Sequence, residues 1–396
     1  MSFATLALVV AIGMLGPLLA AKRAWNVPVV VGELAGGLVV GSSGFHLVDA
    51  TEPTFSLLAS IGFGLTMFVV GSRVPVRDAA MRGTLIRSAI GAVLVGAVAA
   101  ALGVLLAGLF HTGHAALYGV VIASSSAALV LPVLGSLGLA GSRVLQLTVQ
   151  VAVADAACII ALPLAIDPAH AGRAAIGVVA VAVGAVAIYL LLRFFERRGY
   201  RRRMHLFSEQ RLFALELRIS LGLLFALAAL AALTHVSVLL AGFALGLVVG
   251  AVGQPRRLAR QLFGITEGFF GPLFFVWLGA SIDLKNLGSH PSMILLGGTL
   301  GVAAVVAHVA SRATGLPWLL GVTSGGQLGV PVAAAALGVQ LKLLQPGEDA
   351  ALLLGALVTI VATTLAAGLY ARRTSATYSP GTRGSRRRAT GRASDG

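Results

Sequence analysis

Hydrophobic residues run along this 396-residue chain in blocks long enough to cross a membrane, separated by short polar or glycine-rich breaks. A helix rises about 1.5 Å per residue and a bilayer core is about 30 Å thick, so about 20 apolar residues suffice. The pattern predicts thirteen spans, at about 3–21, 27–46, 54–72, 84–110, 115–137, 143–166, 174–193, 212–233, 236–251, 264–282, 292–311, 316–340 and 350–371. Glycines break up the second and ninth, which carry the weakest signals. No stretch remains for a soluble domain of useful size. The fold class is therefore all-α, polytopic and membrane-embedded.

Composition supports that reading, with 58% hydrophobic and 11% charged residues and a mean hydropathy of +0.95. Fifty glycines suit the close helix packing of membrane interiors. The lone Cys158 excludes an intramolecular disulfide. A net charge of +15 could suggest nucleic acid, but the basic residues are confined to alternate ends of the spans. Only Arg173, Lys285 and Lys342 of the 29 Lys and Arg residues fall at the opposite ends. The positive-inside rule then places the N-terminus outside and the C-terminus in the cytoplasm. No basic region precedes the first apolar run, so it reads as a span and not a cleaved signal peptide. The tail, 372–396, is polar, basic and aperiodic, and is expected to be disordered beside lipid headgroups.

One carboxylate stands out against this background. Asp155 lies 12 residues from Arg143 and 12 from Asp167, with no charge between them. That spacing puts it near the bilayer midplane, where an ionisable group is costly and marks an ion or proton path by default. The alternative is a packing Asp satisfied by neighbouring hydroxyls.

An internal duplication surrounds it. Gly37-Leu-Val-Val-Gly41 in the second span recurs as Gly246-Leu-Val-Val-Gly250 in the ninth, 209 residues on. Ser124-Ser125-Ser126, with Pro132, in the fifth span is matched by Thr323-Ser324-Gly325-Gly326-Gln327, with Pro331, in the twelfth, 199 residues on. Seven spans separate each pair, an odd number, so the second copy enters the membrane inverted. This is the plan of many secondary transporters. It divides a membrane domain, 1–371, into repeats of about 3–166 and 212–371 joined by a linker helix at 174–193. Hydroxyls, glycines and a proline weaken the helix in both polar segments, which predicts two broken helices near the midplane.

These residues resemble a known family. Val27-Pro-Val-Val-Val-Gly-Glu33 leading to Gly41-Ser-Ser-Gly44, Ile61 to Gly71, the Ser124–Ser126 break, the Asp155 helix and Phe269 to Asp283 are similar, in order, to monovalent cation/proton antiporters. That superfamily holds bacterial Na+/H+ exchangers and Kef-type K+/H+ antiporters. The resemblance implies a homodimer in the bacterial cytoplasmic membrane, with a scaffold, a mobile core and two broken helices crossing beside an essential aspartate at Asp155. It implies Ser125 and Ser126 as further ion-binding positions and Gly325-Gly326 as the Kef-like glycine pair. Three departures are visible: Ala154 precedes the aspartate where Asp, Asn or Gln is usual, Gln327 replaces a Glu, and the basic residue early in the eleventh span is missing. Only His308 and Arg312 follow later in that span. No counterpart of the Kef nucleotide-binding domain follows in this sequence.

The expected activity is exchange of a monovalent cation, Na+ or K+, for a proton, with both competing for Asp155 as the cation ligand. With no acid at 154, the exchange is expected to be electroneutral. Ser124, Ser324, Gln327, Glu33 and Asp283 are supporting candidates. No cofactor, resident metal or enzyme chemistry is expected, since no catalytic set shares one membrane depth. A channel-like cation leak and a transport-inactive sensor of the same fold are the alternatives. Six of the eight histidines, His114 among them, fall at predicted outer ends and read as solvated loop residues.

Overall fold

The structure, a computed structural model, describes residues 1–21, 29–73, 79–198, 214–234, 236–253, 256–282 and 284–377. Among them every regular element is helical, as lipid requires of a chain that must bond its own backbone. The first half comprises α1 (Phe3–Gly13), α2 (Leu15–Ala21), α3 (Val29–Val40), α4 (Pro53–Arg73), α5 (Ala79–Leu109), α6 (Ala115–Ala123), α7 (Ala127–Ser136) and α8 (Ser142–Ile166). After α9 (Ala171–Arg197) come α10 (Leu215–Leu233), α11 (Val238–Val252), α12 (Arg256–Ile265) and α13 (Gly271–Ser281). A π-helical turn, Thr266–Phe270, joins α12 to α13. The chain ends with α14 (Leu284–Ser289), α15 (Pro291–Val309), α16 (Trp318–Ser324), α17 (Gly329–Gln340) and α18 (Glu348–Thr377).

Eleven helical runs among the described residues are long and apolar enough to cross a membrane, and α3 and α11 are shorter apolar helices. The protein is thus a multi-pass membrane protein. The two short helices are the two glycine-interrupted segments. Serine and glycine punctuation shortens them: α3 gives way to Gly41-Ser-Ser-Gly44, and α11 stops at Gly253, whose φ of 106° suits glycine. The final helix runs to Thr377, past the predicted boundary at 371. Residues 378–396 lie outside the described residues.

Packing sorts the helices into two bundles. One joins α1–α4 with α10–α13; the other joins α5–α8 with α15–α18. Each therefore takes its members from both halves of the chain. The bundles touch mainly where α7 meets α4 and α8 meets α11, and α9 packs on both. Within the first bundle, α3 crosses α13 with Gly37 and Gly41 pressed on the backbones of Val276 and Ala280. Correspondingly, α11 crosses α4 with Gly246 on Phe68 and Gly71, and Gly250 on Ser72. The repeated glycines thus make the same backbone-to-backbone crossing twice, each time between a helix of one repeat and a helix of the other.

The broken segments occupy the centre. In the apolar windows of Ala115–Ser136 and Trp318–Val339, 78% and 83% of residues are buried, against 17% for Pro168–Arg197. The hydroxyls and glycines that weaken these helices are therefore shielded from lipid, where freed backbone groups can find protein partners.

Candidate functional site

The helix α6 stops where three hydroxyls arrive together. Ser124 and Ser126 are extended (φ −69°, ψ 144° and φ −122°, ψ 109°), and the Ser124 hydroxyl donates back to Val121 O at 2.7 Å. In the second repeat α16 stops at Ser324, whose hydroxyl donates to Gly321 O at 2.6 Å, and α17 resumes at Gly329. Four backbone ends are thereby left without intrahelical partners near the membrane centre.

The two breaks satisfy each other. Ser126 N–H donates to Gly326 O at 2.7 Å, and the Ser125 hydroxyl donates to Ser324 O at 2.7 Å. Gln327 Nε2 reaches Val121 O at 2.5 Å and Ile122 O at 3.3 Å, so the amide caps the C-terminal end of α6. The crossing predicted from sequence is present, and Val121 O, Ile122 O, Ser324 O and Gly326 O are spent on it. Gln327 N–H donates to Thr359 Oγ1 at 3.1 Å, tying the second break to α18.

Asp155, on α8, is 2% exposed. Its Oδ2 accepts the Ala127 N–H, the first of α7, at 3.0 Å. The positive end of that half-helix favours a carboxylate there. Oδ1 accepts no hydrogen bond among the described residues. The buried Ser126 Oγ, one residue before Ala127, is also without a partner. Among the described residues no three His, Cys, Asp or Glu side chains converge on one point, so Asp155 has no acidic cluster around it.

His308 is a member of the crossing that its sequence position did not reveal. It is 1% exposed; Nδ1–H donates to Ala304 O at 2.8 Å, and Nε2 lies 3.2 Å from Ser125 Oγ. Ser125 thus lies between α16 and α15, and its single hydroxyl proton serves Ser324 O or His308 Nε2, one at a time. The available signal was a histidine inside an apolar span whose usual basic residue is absent.

The remaining candidates separate. Ser124 and Ser324 lie at the crossing with their protons turned to their own helices. Glu33 is buried but stands apart, lining a cavity of about 240 Å3 between the bundles together with Thr66, Ala128, Ser136 and Glu267. Glu267 is the fourth residue of the predicted span 264–282, close to one end of it. Asp283 lies outside the described residues.

Residues 7–375 match the family model for the transmembrane sodium/hydrogen exchanger. The chain belongs to that family. This exchanger family is one of secondary transporters, not enzymes. The chain is 25% identical over 387 residues to the putative Na(+)/H(+) antiporter YjbQ of Bacillus subtilis, covering 91% of this chain and 62% of that protein. It is 27% identical over 311 residues to the glutathione-regulated potassium-efflux system protein KefC of Klebsiella pneumoniae, covering 73% and 47% respectively. Less than two thirds of either relative is therefore spanned. The exchanger fold is seen in the sodium proton antiporter MjNhaP1 of Methanocaldococcus jannaschii, with a TM-score of 0.64, 16% identity and coverage of 94% of this chain and 96% of that one. At that identity the likeness is one of fold.

Proposed function

We propose that the protein exchanges Na+ or K+ for a proton, one for one, with both competing for Asp155. The observation that carries this reading is the division of labour in one carboxylate. Oδ2 is anchored to the α7 N-terminus, and Oδ1 takes no hydrogen bond among the described residues. The unpartnered Ser126 hydroxyl supplies a second hard oxygen beside it. One carboxylate can be neutralised by a proton or by a monovalent cation, but not by both at once. Coupling then requires only that the loaded core present Asp155 to the two membrane faces in turn.

A seam between two lightly joined bundles supports that movement. It holds the cavity beside α7 and another of about 250 Å3 at the far ends of α13 and α17, lined by Ser60, Ser237 and Trp277. In this reading α5–α8 with α15–α18 form the moving core, and the other bundle forms the scaffold of a homodimer. The protein works in the bacterial cytoplasmic membrane with its N-terminus outside. Ser125, positioned by His308, and Gln327 keep the breaks in register while the site changes partner.

The test is proton flux in proteoliposomes, read with an internal pH dye after addition of Na+, K+ or Li+. The wild type should couple proton movement to at least one cation, and Asp155→Asn should abolish it. Full cation-dependent flux through Asp155→Asn would sink the proposal. Cation flux without proton movement would make the protein a leak, and absence of both a sensor.

A further inference from the structure

Exchange at Asp155 leaves a second fully buried acid of the same bundle unexplained. Glu348, the first residue of α18, is 0% exposed. The Tyr118 hydroxyl donates to its Oε1 at 2.6 Å, and His114 Nδ1 lies 2.7 Å from the same oxygen. Gln345 N–H donates to Oε2 at 2.8 Å, and Gln345 Nε2 donates to His111 O at 3.3 Å. Both oxygens of the carboxylate are therefore engaged.

These bonds fasten a short helix. His114 and Tyr118 are four residues apart, so they share one face of α6 at the end remote from the break. α6 has nine residues, too few for a helix to hold its place alone, and its position follows from what it is tied to. At the break, Gln327 Nε2 caps Val121 O and Ile122 O, while Gln327 N–H donates to Thr359 of α18. α18 thus holds α6 twice, directly through Glu348 and through Gln327 about 17 Å further along. Burying a carboxylate is costly, and apolar contact would join the two helices without that cost. What the bonded carboxylate adds is a single allowed register.

The duplication shows that the anchor belongs to one copy. At the offset of 199 residues that relates the two breaks, His114 corresponds to Ala313 and Tyr118 to Pro317, and neither has a side-chain donor. The anchored half-helix is the one whose break leads to Ala127, the residue whose N–H Asp155 accepts. A slip of α6 along α18 would carry Ser124–Ser126 with it and disturb that hydrogen bond.

We propose that Glu348 is a positioning residue for the ion site. By fixing the register of α6 it sets how the break and the first N–H of α7 meet Asp155, and thereby the affinity of Asp155 for its cation. This role rests on the exchange reading, which makes Asp155 the site. The test compares the cation KM and the maximal exchange rate of the full-length protein in proteoliposomes. Glu348→Gln keeps the side-chain shape but sets an amide N–H2 against one of the donors. It should raise the KM about fivefold or more, with the maximal rate within about twofold of the wild type. Tyr118→Phe, which removes a single bond, should raise the KM by less. The two combined should fall short of the product of their effects, since both act through one anchor. A purely structural acid predicts a maximal rate that falls with the amount of folded protein, at unchanged KM. Each variant must elute as the wild type does on size exclusion; should Glu348→Gln not do so, Tyr118→Phe alone decides. An unchanged KM in the folded variants, or effects that multiply in full, would overturn the proposal. Asp155→Asn in the same assay separates the two readings. Exchange lost there, with KM unchanged at Glu348 and Tyr118, strikes the positioning role only, whereas exchange that survives Asp155→Asn strikes the exchange reading.

Discussion

Gln327 shows how one side chain can decide whether a broken helix is tolerable. Its Nε2 faces two carbonyls, Val121 O and Ile122 O, neither of which can donate. An amide, or a protonated acid, satisfies them, whereas an ionised carboxylate would present oxygen to oxygen. Gln327→Glu should therefore melt close to the wild type in acid and fall progressively below it as pH rises. The loss should reach about 1–3 kcal/mol, the usual cost of leaving buried polar groups unmade. Thermal unfolding across pH in detergent reads this, and a pH-independent difference would count against the capping role. The sequence made Gln327 conspicuous but not its direction, since an amide can give either its oxygen or its nitrogen. His114 is a clearer miss. It read as a solvated loop residue, yet Nδ1 lies 2.7 Å from Glu348, a fully buried acid that also accepts the Tyr118 hydroxyl at 2.6 Å. The partners are 234 residues apart, and local pattern carries no information at that distance.

Helices are placed in this fold by small residues where backbones meet. Gly37 on Val276 and Gly246 on Phe68 leave no space for a Cβ, while Gly96 and Gly108 have none of their neighbours within 4 Å of one. Gly37→Ala and Gly246→Ala should each lower stability by about 1–3 kcal/mol through overpacking. Gly96→Ala and Gly108→Ala should be neutral or raise it by up to about 1 kcal/mol, since alanine favours a helix more. Melting temperatures of the four variants separate the two classes; equal effects would show that helix propensity, not contact, governs them. The glycine repeat was readable in the sequence because both copies keep the same five residues. The Asp155 counterpart was not, because the copies have diverged chemically. In the second repeat the hydroxyl of Thr359, on α18, takes the Gln327 N–H, much as the Asp155 carboxylate takes the Ala127 N–H in the first. A neutral oxygen thus serves one half-helix and a charged one the other, so the chemistry of the site is carried by a single copy.

That asymmetry has an electrical consequence for the protein as it moves. If the core crosses with Asp155 bearing either a proton or a monovalent cation, its net charge is the same in both directions. Only a second titrating acid travelling with the core would make the cycle carry current, and Ala154 supplies none. Moving one net charge through 100 mV is worth about 2.3 kcal/mol, or about 50-fold in an equilibrium. A voltage effect of that size could not be missed. Na+-driven proton flux should therefore agree within about twofold in potassium-free proteoliposomes held at 0 and −100 mV by a gradient of a permeant anion such as thiocyanate, far below the shift one moving charge would allow. The Glu33 and Glu267 cavity sharpens the comparison, because its carboxylates sit beside α7 without belonging to the load at Asp155. Glu33 lies on α3 and Glu267 in the turn before α13, both in the bundle assigned as scaffold, so their charges stay put when the core moves. Flux that rose severalfold with potential would mean that a charge besides the load at Asp155 crosses the field. The one-for-one exchange would then give way to a stoichiometry with more protons than cations.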